Sequence, residues 1–309
     1  MEKEIKVKIH RLPPYLKKIM SKIHNIIGEE RFILYGSTPI DLLLNKRFKI
    51  DDLDIAIEGI NKNRIRKCRE KMKKQGFEIV EPFRKYYIHK NKEVVLVYAK
   101  NDRWFLDIAF LDNPTLIGHF NIETLFFRYP QMDYLDKFGA IKSIKEKKIR
   151  LIRDSEKENP HLLLGRFLRL CSKYEIPLKE NKHRKILLDL QAKIELWKIV
   201  SNFEKNAYTS CISSLLKSIV QSNDKRLFMR NLIDAAVLIT IFPELENAVS
   251  VHRNEFVKEI PNVRKKLDVV VLFDKYLKTP ERKLFERKIK ALKVRHWNKQ
   301  DIDCSNYFV

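Results

Sequence analysis

Phe32-Ile33-Leu34-Tyr35-Gly36-Ser37-Thr38-Pro39-Ile40-Asp41-Leu42-Leu43-Leu44 begins as an apolar strand, breaks at Gly36-Ser37 and resumes as a helix. Pro39 suits the first turn of that helix, because its ring fixes φ near the helical value and its missing N–H would have had no intrahelical partner. A helix N-terminus that faces a strand end offers free N–H groups and the positive end of the helix dipole to an anion. Gly36 allows the backbone to come close to a phosphate, and the Ser37 hydroxyl can donate to a phosphate oxygen. Most such turns are only turns, so the reading depends on what accompanies this one.

Lys49-Ile50-Asp51-Asp52-Leu53-Asp54-Ile55-Ala56-Ile57 follows. Side chains alternate across a strand, so Asp52 and Asp54 project from one face while Leu53 and Ile55 point to the other. Acidic residues are poor strand formers, and two on one face repel each other unless a cation lies between them. A third carboxylate, Asp107, is the only charge in the strand Trp104-Phe105-Leu106-Asp107-Ile108-Ala109-Phe110. The bland alternative pairs Asp107 with a Lys or Arg and leaves Asp52 and Asp54 at a solvated strand end. A Gly-Ser turn, an Asp-x-Asp strand and a lone strand Asp in one chain favour a hard divalent cation with oxygen ligands, Mg²⁺ being the natural occupant. Three carboxylates could hold two such ions, one at an attacking hydroxyl and the other on a triphosphate; that is the chemistry of phosphoryl transfer. Asp107 is expected nearer the attacking hydroxyl, and Asp52 and Asp54 at both ions.

Around these residues, a first helix runs from Leu16 to Ile27 and closes at Gly28. Strands are expected at Phe32 to Tyr35, Leu53 to Ile57, Phe77 to Val80, Val94 to Tyr98 and Trp104 to Phe110, alternating with helices at Pro39 to Asn45 and Asn63 to Lys74. Residues 1 to about 112 thus read as a small α/β domain. From Asn113 strand signals nearly vanish, and helical periodicity dominates Leu116 to Phe127, Leu162 to Tyr174, Arg184 to Phe203, Ser210 to Val220, Phe228 to Thr240 and Val263 to Lys293, the last interrupted at Pro280. The fold class is α+β: an α/β head with a small mixed sheet, followed by an all-α neck and body.

The chain of 309 residues, 44% of them hydrophobic, can bury two or three small cores. Its 63 Lys and Arg against 40 Asp and Glu leave a formal charge of +23 spread along the whole length, which points to a polyanionic partner, nucleic acid first. The plainer reading is a Lys-rich surface that keeps the protein in solution. Cys68, Cys171, Cys211 and Cys304 are far apart, which argues against a disulfide framework or a structural zinc site and for reduced thiols in a cytoplasmic protein. The charged stretch Met1 to His10 lacks the apolar run of a signal peptide, and no stretch has the length of a membrane span.

At the Gly36-Ser37 turn and the three aspartates the sequence resembles the nucleotidyltransferase superfamily, and within it the class II tRNA nucleotidyltransferases (CCA-adding enzymes) and bacterial poly(A) polymerases. Gly118-His119-Phe120-Asn121-Ile122-Glu123-Thr124-Leu125-Phe126 is similar to that family's Arg-Asp-Phe-Thr-Ile-Asn-Ala-Leu segment, and Leu135-Asp136-Lys137-Phe138-Gly139 to its Asp-Pro-Phe-Gly-Gly. Glu158-Asn159-Pro160 with Arg166-Phe167-Leu168-Arg169-Leu170 resembles the neck motif, and Phe242-Pro243-Glu244-Leu245 the body's Phe-Pro-Glu-Leu. The resemblance implies a head over 1–130, a nucleoside-binding neck over 131–180 and an RNA-binding body over 181–309. It implies Asp52, Asp54 and Asp107 as catalytic metal ligands for two Mg²⁺ ions. It implies Gly36, Ser37, Asp41, His119, Asn159, His161, Arg166 and Arg169 around the nucleotide.

The departures are informative. Gly36-Ser37 replaces Gly-Gly, Ile40 stands where an Arg precedes the Asp matched by Asp41, and His119 replaces the Asp of the Arg-Asp segment. Asn159 and Leu162 occupy the places of the Asp and Arg that read the incoming base, so the metal site is intact while base selection is altered; taken alone, His161 reads more readily as an ordinary neck residue. From Arg253 to Lys299, Lys and Arg interleave with Phe256, Phe273, Tyr276, Phe285 and Trp297, a composition suited to RNA, although such aromatics more often pack in a helical core. The leading expectation is transfer of a nucleotide from an NTP, ATP or CTP foremost, to the 3′ end of an RNA, tRNA or a tRNA-like end being preferred, with no membrane partner. A protein hydroxyl or a small molecule as acceptor, and an RNA-binding module with a relict head, remain as alternatives.

Overall fold

The computed structural model describes residues 5–8, 14–44, 52–88, 92–102, 104–113, 118–152, 158–200, 205–294, 303 and 306–307. The chain forms two compact units, Met1–Glu146 and Lys147–Val309. The first contains β1 (Ile5–Lys8), α1 (Pro14–Ile27), β2 (Phe32–Leu34), α2 (Thr38–Leu43), β3 (Asp52–Glu58), α3 (Lys62–Lys74), β4 (Glu78–Ile88), β5 (Lys92–Lys100), β6 (Phe105–Leu111), β7 (Leu125–Tyr129), β8 (Asp133–Asp136) and α4 (Ala140–Lys145).

Its strands form one eight-stranded sheet in the order β1-β8-β7-β2-β3-β6-β5-β4. β3 and β6 pair in parallel, and the other described pairings are antiparallel. The period of two is visible in burial: Leu53, Ile55, Ile57, Leu106, Ile108 and Phe110 are fully buried, while Asp54 and Asp107 fall on the alternate positions. The five expected strands and both helices between them form, with β4 and β5 extending well beyond their apolar runs.

The expectation that strands end near Asn113 is corrected. Among the described residues of the expected helix Leu116 to Phe127, Asn121–Thr124 makes a short 3-10 turn and Leu125 opens β7. Leu125, Phe126 and Phe127 are all fully buried, and so continuous an apolar run has no period with which to tell helix from strand. Pairing of β7 with β2 on one side and β8 on the other decides it. The β7–β8 hairpin is held by Arg128, whose Nε and Nη2 donate to the two oxygens of its register partner Asp133 at 2.8 and 2.6 Å. At the end of β8, the Asp136 carboxylate accepts from the N–H groups of Ala140 and Ile141 at 2.7 and 3.0 Å and so caps α4, after Gly139 turns the chain at φ 69°.

The second unit is helical: α5 (Pro160–Tyr174), α6 (Asn181–Val200), α7 (Lys205–Gln221), α8 (Lys225–Asp234), α9 (Val237–Ile241), α10 (Glu246–Glu259), α11 (Lys266–Lys275) and α12 (Thr279–Lys290), with short 3-10 turns between some of them. The run Phe228 to Thr240, expected as one helix, breaks at Ala236, which takes φ 56°. The Gln191 side-chain amide stabilises the break by donating to the Ala235 carbonyl at 2.9 Å.

Phe242, Phe256, Phe273 and Phe285 meet edge to face and are fully buried, each contributing roughly 1.5–3 kcal/mol of burial. Phe256, Phe273 and Phe285 therefore build the core and do not stack on bases; Trp297 lies outside the described residues. Glu244 is buried and bound by Lys288 at 2.6 Å, so the Phe-Pro-Glu-Leu turn serves to lock α12 in place. Cys68, Cys171 and Cys211 are buried free thiols, and burial pushes Cys68 and Cys211 up to about 12, leaving them neutral and unreactive. Among the described residues no helix is long and apolar enough to cross a membrane.

α5 and α7 pack closely because α5 carries Gly165 at the contact. A Cβ there would lie 3.1 Å from the Ser214 Cβ and 3.2 Å from the Cys211 Cα, which is backbone and cannot swing away. Gly165→Val is expected to destabilise the protein by about 2 kcal/mol, read as a lower urea midpoint, whereas Gly139→Ala, with no atom near its Cβ, should cost only its positive φ.

Candidate functional site

The parallel pairing of β3 with β6 brings the predicted carboxylates together. Asp54 and Asp107 are register partners, and Asp52 stands opposite Phe105 one step toward the strand start. Register partners on neighbouring strands have Cα atoms roughly 4.8 Å apart, so two half-buried acids lie side by side on one face of the sheet. Asp52 shares their phase in β3; its side chain lies outside the described residues.

The Gly36-Ser37 turn packs onto this pair. The Tyr35 N–H donates to the Asp54 carbonyl at 3.1 Å, and Gly36 takes φ 71°. A Cβ at Gly36 would lie 2.1 Å from Asp54 Oδ2, so the absence of a side chain here makes room for the carboxylate itself. Ser37 is the N-cap residue of α2, yet its hydroxyl makes no capping bond; Pro39 lies in the first turn and is buried. Asp41 is half-buried on α2, and its N–H donates to the Ser37 carbonyl at 2.9 Å.

On the same face, Ala56, Val94, Ala109 and Leu111 form a buried apolar cluster against which Ile33, Tyr35 and Leu96 pack. This floor begins one side-chain step from Asp54 and Asp107. Tyr98 faces Asp107 across the β5–β6 register, with its ring 6.2 Å from that of Phe105. Sequence reasoning missed Tyr35 and Tyr98 as neighbours of the carboxylates. The signal for Tyr98 was its parity with Leu96 in the expected strand; only the register with β6 gives that parity meaning.

His119 is half-buried, and its N–H donates to Glu123 Oε2 at 2.9 Å, as does that of Phe120 at 3.1 Å. Glu123 thereby holds the entry to the 3-10 turn. The remaining predicted residues lie in the second unit, on α5. Asn159 is its N-cap, with Oδ1 accepting from the His161 N–H at 3.0 Å. His161 is buried with its ring edge-on to Tyr208 at 5.4 Å. Arg166 and Arg169 are exposed on the outer face of α5, where Leu162 precedes Arg166 by one turn.

Among the described residues no group of three His, Cys, Asp and Glu side chains gathers at metal-binding distance. Asp54 and Asp107 supply two adjacent hard oxygen donors in a half-buried setting, and Gly36 clears the space beside one of them. That donor set suits a Mg²⁺ ion, which takes one or two protein carboxylates and completes its shell with water and phosphate.

The fold has known counterparts. A Thermotoga maritima CCA-adding enzyme complexed with tRNA superposes with a TM-score of 0.59 at 14% identity, over 97% of this chain and 72% of that one. A CCA-adding enzyme in complex with ATP gives 0.58 at 14% identity over 97% and 72%, and a tRNA-processing enzyme complex 0.56 at 19% identity over 86% and 72%. No family model and no curated protein matches the sequence. The chain has a tRNA nucleotidyltransferase-like fold: an α+β head followed by a helical body.

The Gly36–Asp54 contact can be weighed by a double-mutant cycle. Gly36→Ala should cost on the order of 1–3 kcal/mol, the positive φ and the clash together, and in an Asp54→Ala background the clash component should vanish. Equal costs in the two backgrounds, measured by urea unfolding, would show that Gly36 serves something other than the carboxylate.

Proposed function

We propose that this chain is a nucleotidyltransferase that moves a nucleotide from an NTP, ATP or CTP foremost, to the 3′ end of an RNA, with tRNA or a tRNA-like end as acceptor. The observation that carries this reading is the β3–β6 register, which sets two mutually repelling carboxylates side by side under a glycine turn. Support comes from the shared fold, since the similar enzymes are solved with CTP, with ATP and with tRNA. The surplus of +23 suits the polyanionic acceptor.

Asp52, Asp54 and Asp107 would hold two Mg²⁺ ions, which when bound would lower the pKa of the attacking hydroxyl and stabilise the departing pyrophosphate. In this scheme Gly36 keeps the Asp54 carboxylate in place, while the uncommitted Ser37 hydroxyl and the first N–H groups of α2 receive the triphosphate. Asp41 and His119 lie toward the sugar and phosphates. In the neck, Arg166 and Arg169 are the side chains on α5 best able to reach a base, since Asn159 Oδ1 caps the helix and His161 packs on Tyr208. Residues 1–130, 131–180 and 181–309 then serve as head, neck and RNA-binding body of a cytoplasmic enzyme.

With Mg²⁺, tRNA with and without its terminal CCA, and each α-labelled NTP in turn, the protein should label RNA, and an Asp52→Ala/Asp54→Ala variant should not. Label that appears in protein or in a small product would overturn the RNA acceptor. Asp107→Asn should raise the melting temperature of the metal-free protein by relieving repulsion from Asp54, yet slow transfer by at least about a hundredfold. Mg²⁺ should stabilise the wild type more than this variant. An Asp107→Asn variant with undiminished transfer would remove Asp107 from the site.

A further inference from the structure

Helix α3 carries a charge density that its own folding does not explain. Eight of its thirteen residues, Lys62 to Lys74, are Lys or Arg, against a single Glu. Cations in the last turn complement the helix dipole, which accounts for Lys71, Lys73 and Lys74. The first half runs the other way: Lys62 and Arg64 sit in the first turn, where a cation is disfavoured and no acid is present. Lys62 with Arg66, and Lys67 with Lys71, are also like charges four residues apart, a spacing at which they repel.

Arg64 and Lys71 have structural work. Arg64 binds the buried Glu29 through Nε at 2.7 Å and donates to the Glu58 carbonyl at 2.6 Å, tying α3 to the end of α1. Lys71 lies across Gly28, where a Cβ would come within 2.8 Å of its Cδ. Between the two helices lies a cleft of about 540 Å³, with Arg31 and Lys67 on its rim together with the carboxylate of Glu30. Among the described residues Arg31, Lys62 and Lys67 are exposed and have no carboxylate partner, and Arg66 has only an exposed one, Glu70 at 3.9 Å.

We infer that the exposed face of α3, with the cleft it makes against the end of α1, is a docking surface for the phosphate backbone of RNA on the head. The inference rests on the proposed reading for the identity of the polyanion and adds where on the head it is held. A backbone of regularly spaced phosphates matches a helix face with a cation at nearly every exposed position. An anionic membrane matches it less well. The apolar residues of α3, Ile65, Cys68 and Met72, are buried, and among the described residues no exposed large apolar side chain lies on α1 or α3 to enter a bilayer.

Lys62→Gln/Arg66→Gln/Lys67→Gln removes three cations that oppose the helix dipole or one another, so the variant should melt no lower than the wild type. Its affinity for a tRNA pool, measured by filter binding across a KCl series, should fall about tenfold or more near physiological salt. Its slope of log affinity against log salt should flatten by about 2 to 3. Lys137→Gln/Lys142→Gln/Lys145→Gln, an equal loss of charge elsewhere in the first compact unit, should change both far less. Turnover with labelled NTP at saturating tRNA should stay near wild type, so failure of this surface and failure of the transferase reading separate cleanly. Unchanged binding by the α3 variant would overturn the inference, as would an equal loss in the control. A defect confined to phosphatidylserine vesicles would reassign the surface to a membrane.

Discussion

Asp54 and Asp107 are register partners in the one parallel strand pair among the described residues, and the arrangement of the head follows from holding them there. Two carboxylates at this separation repel, and half-burial strengthens the repulsion by removing water. Backbone pairing alone would let the side chains swing apart. The surroundings restrict that escape: Gly36 brings the preceding turn against one oxygen of Asp54, the apolar cluster around Ala56 and Ala109 fills the space behind, and Tyr98 stands across from Asp107 on the neighbouring strand. Two adjacent negative charges cost stability, and a cation between them would turn that cost to gain.

The second unit obeys different physics. Its core is a cluster of fully buried phenylalanines closed by the Glu244–Lys288 pair, and the packing of α5 on α7 depends on the missing side chain of Gly165. α5 has an inner side that includes His161 and Phe167 and an outer side with Leu162, Arg166 and Arg169. That division sorts the residues proposed around the nucleotide into those that build the helix and those that face solvent.

The carboxylate strands were legible because acids are rare in apolar strands and the period of two is strict there. The side-by-side placement of Asp54 and Asp107 was not legible, because register is a tertiary property that neither strand encodes alone. β7 was misread for the opposite reason: Leu125 to Phe127 is apolar at every position, so only its neighbours could say that it is a strand. In the body the interleaving of Lys and Arg with aromatics looked like a nucleic-acid surface, while Phe256, Phe273 and Phe285 face inward. Composition alone does not say which way a ring points. The basic helix α3 passed as an ordinary helix because its three buried positions carried the period, and the weight of its charge shows only when its cations are sorted into structural and spare.

The cap on α5 separates two properties that would otherwise be tied together. Asn159 holds the helix start through one side-chain oxygen, a task that Asp performs about as well. The resembling family has Asp at the matching place. A change between the two residues alters the charge and hydrogen-bonding character presented at the head of the helix while leaving the helix itself intact. The position is thus one at which charge can change over evolutionary time without passing through an unfolded intermediate sequence.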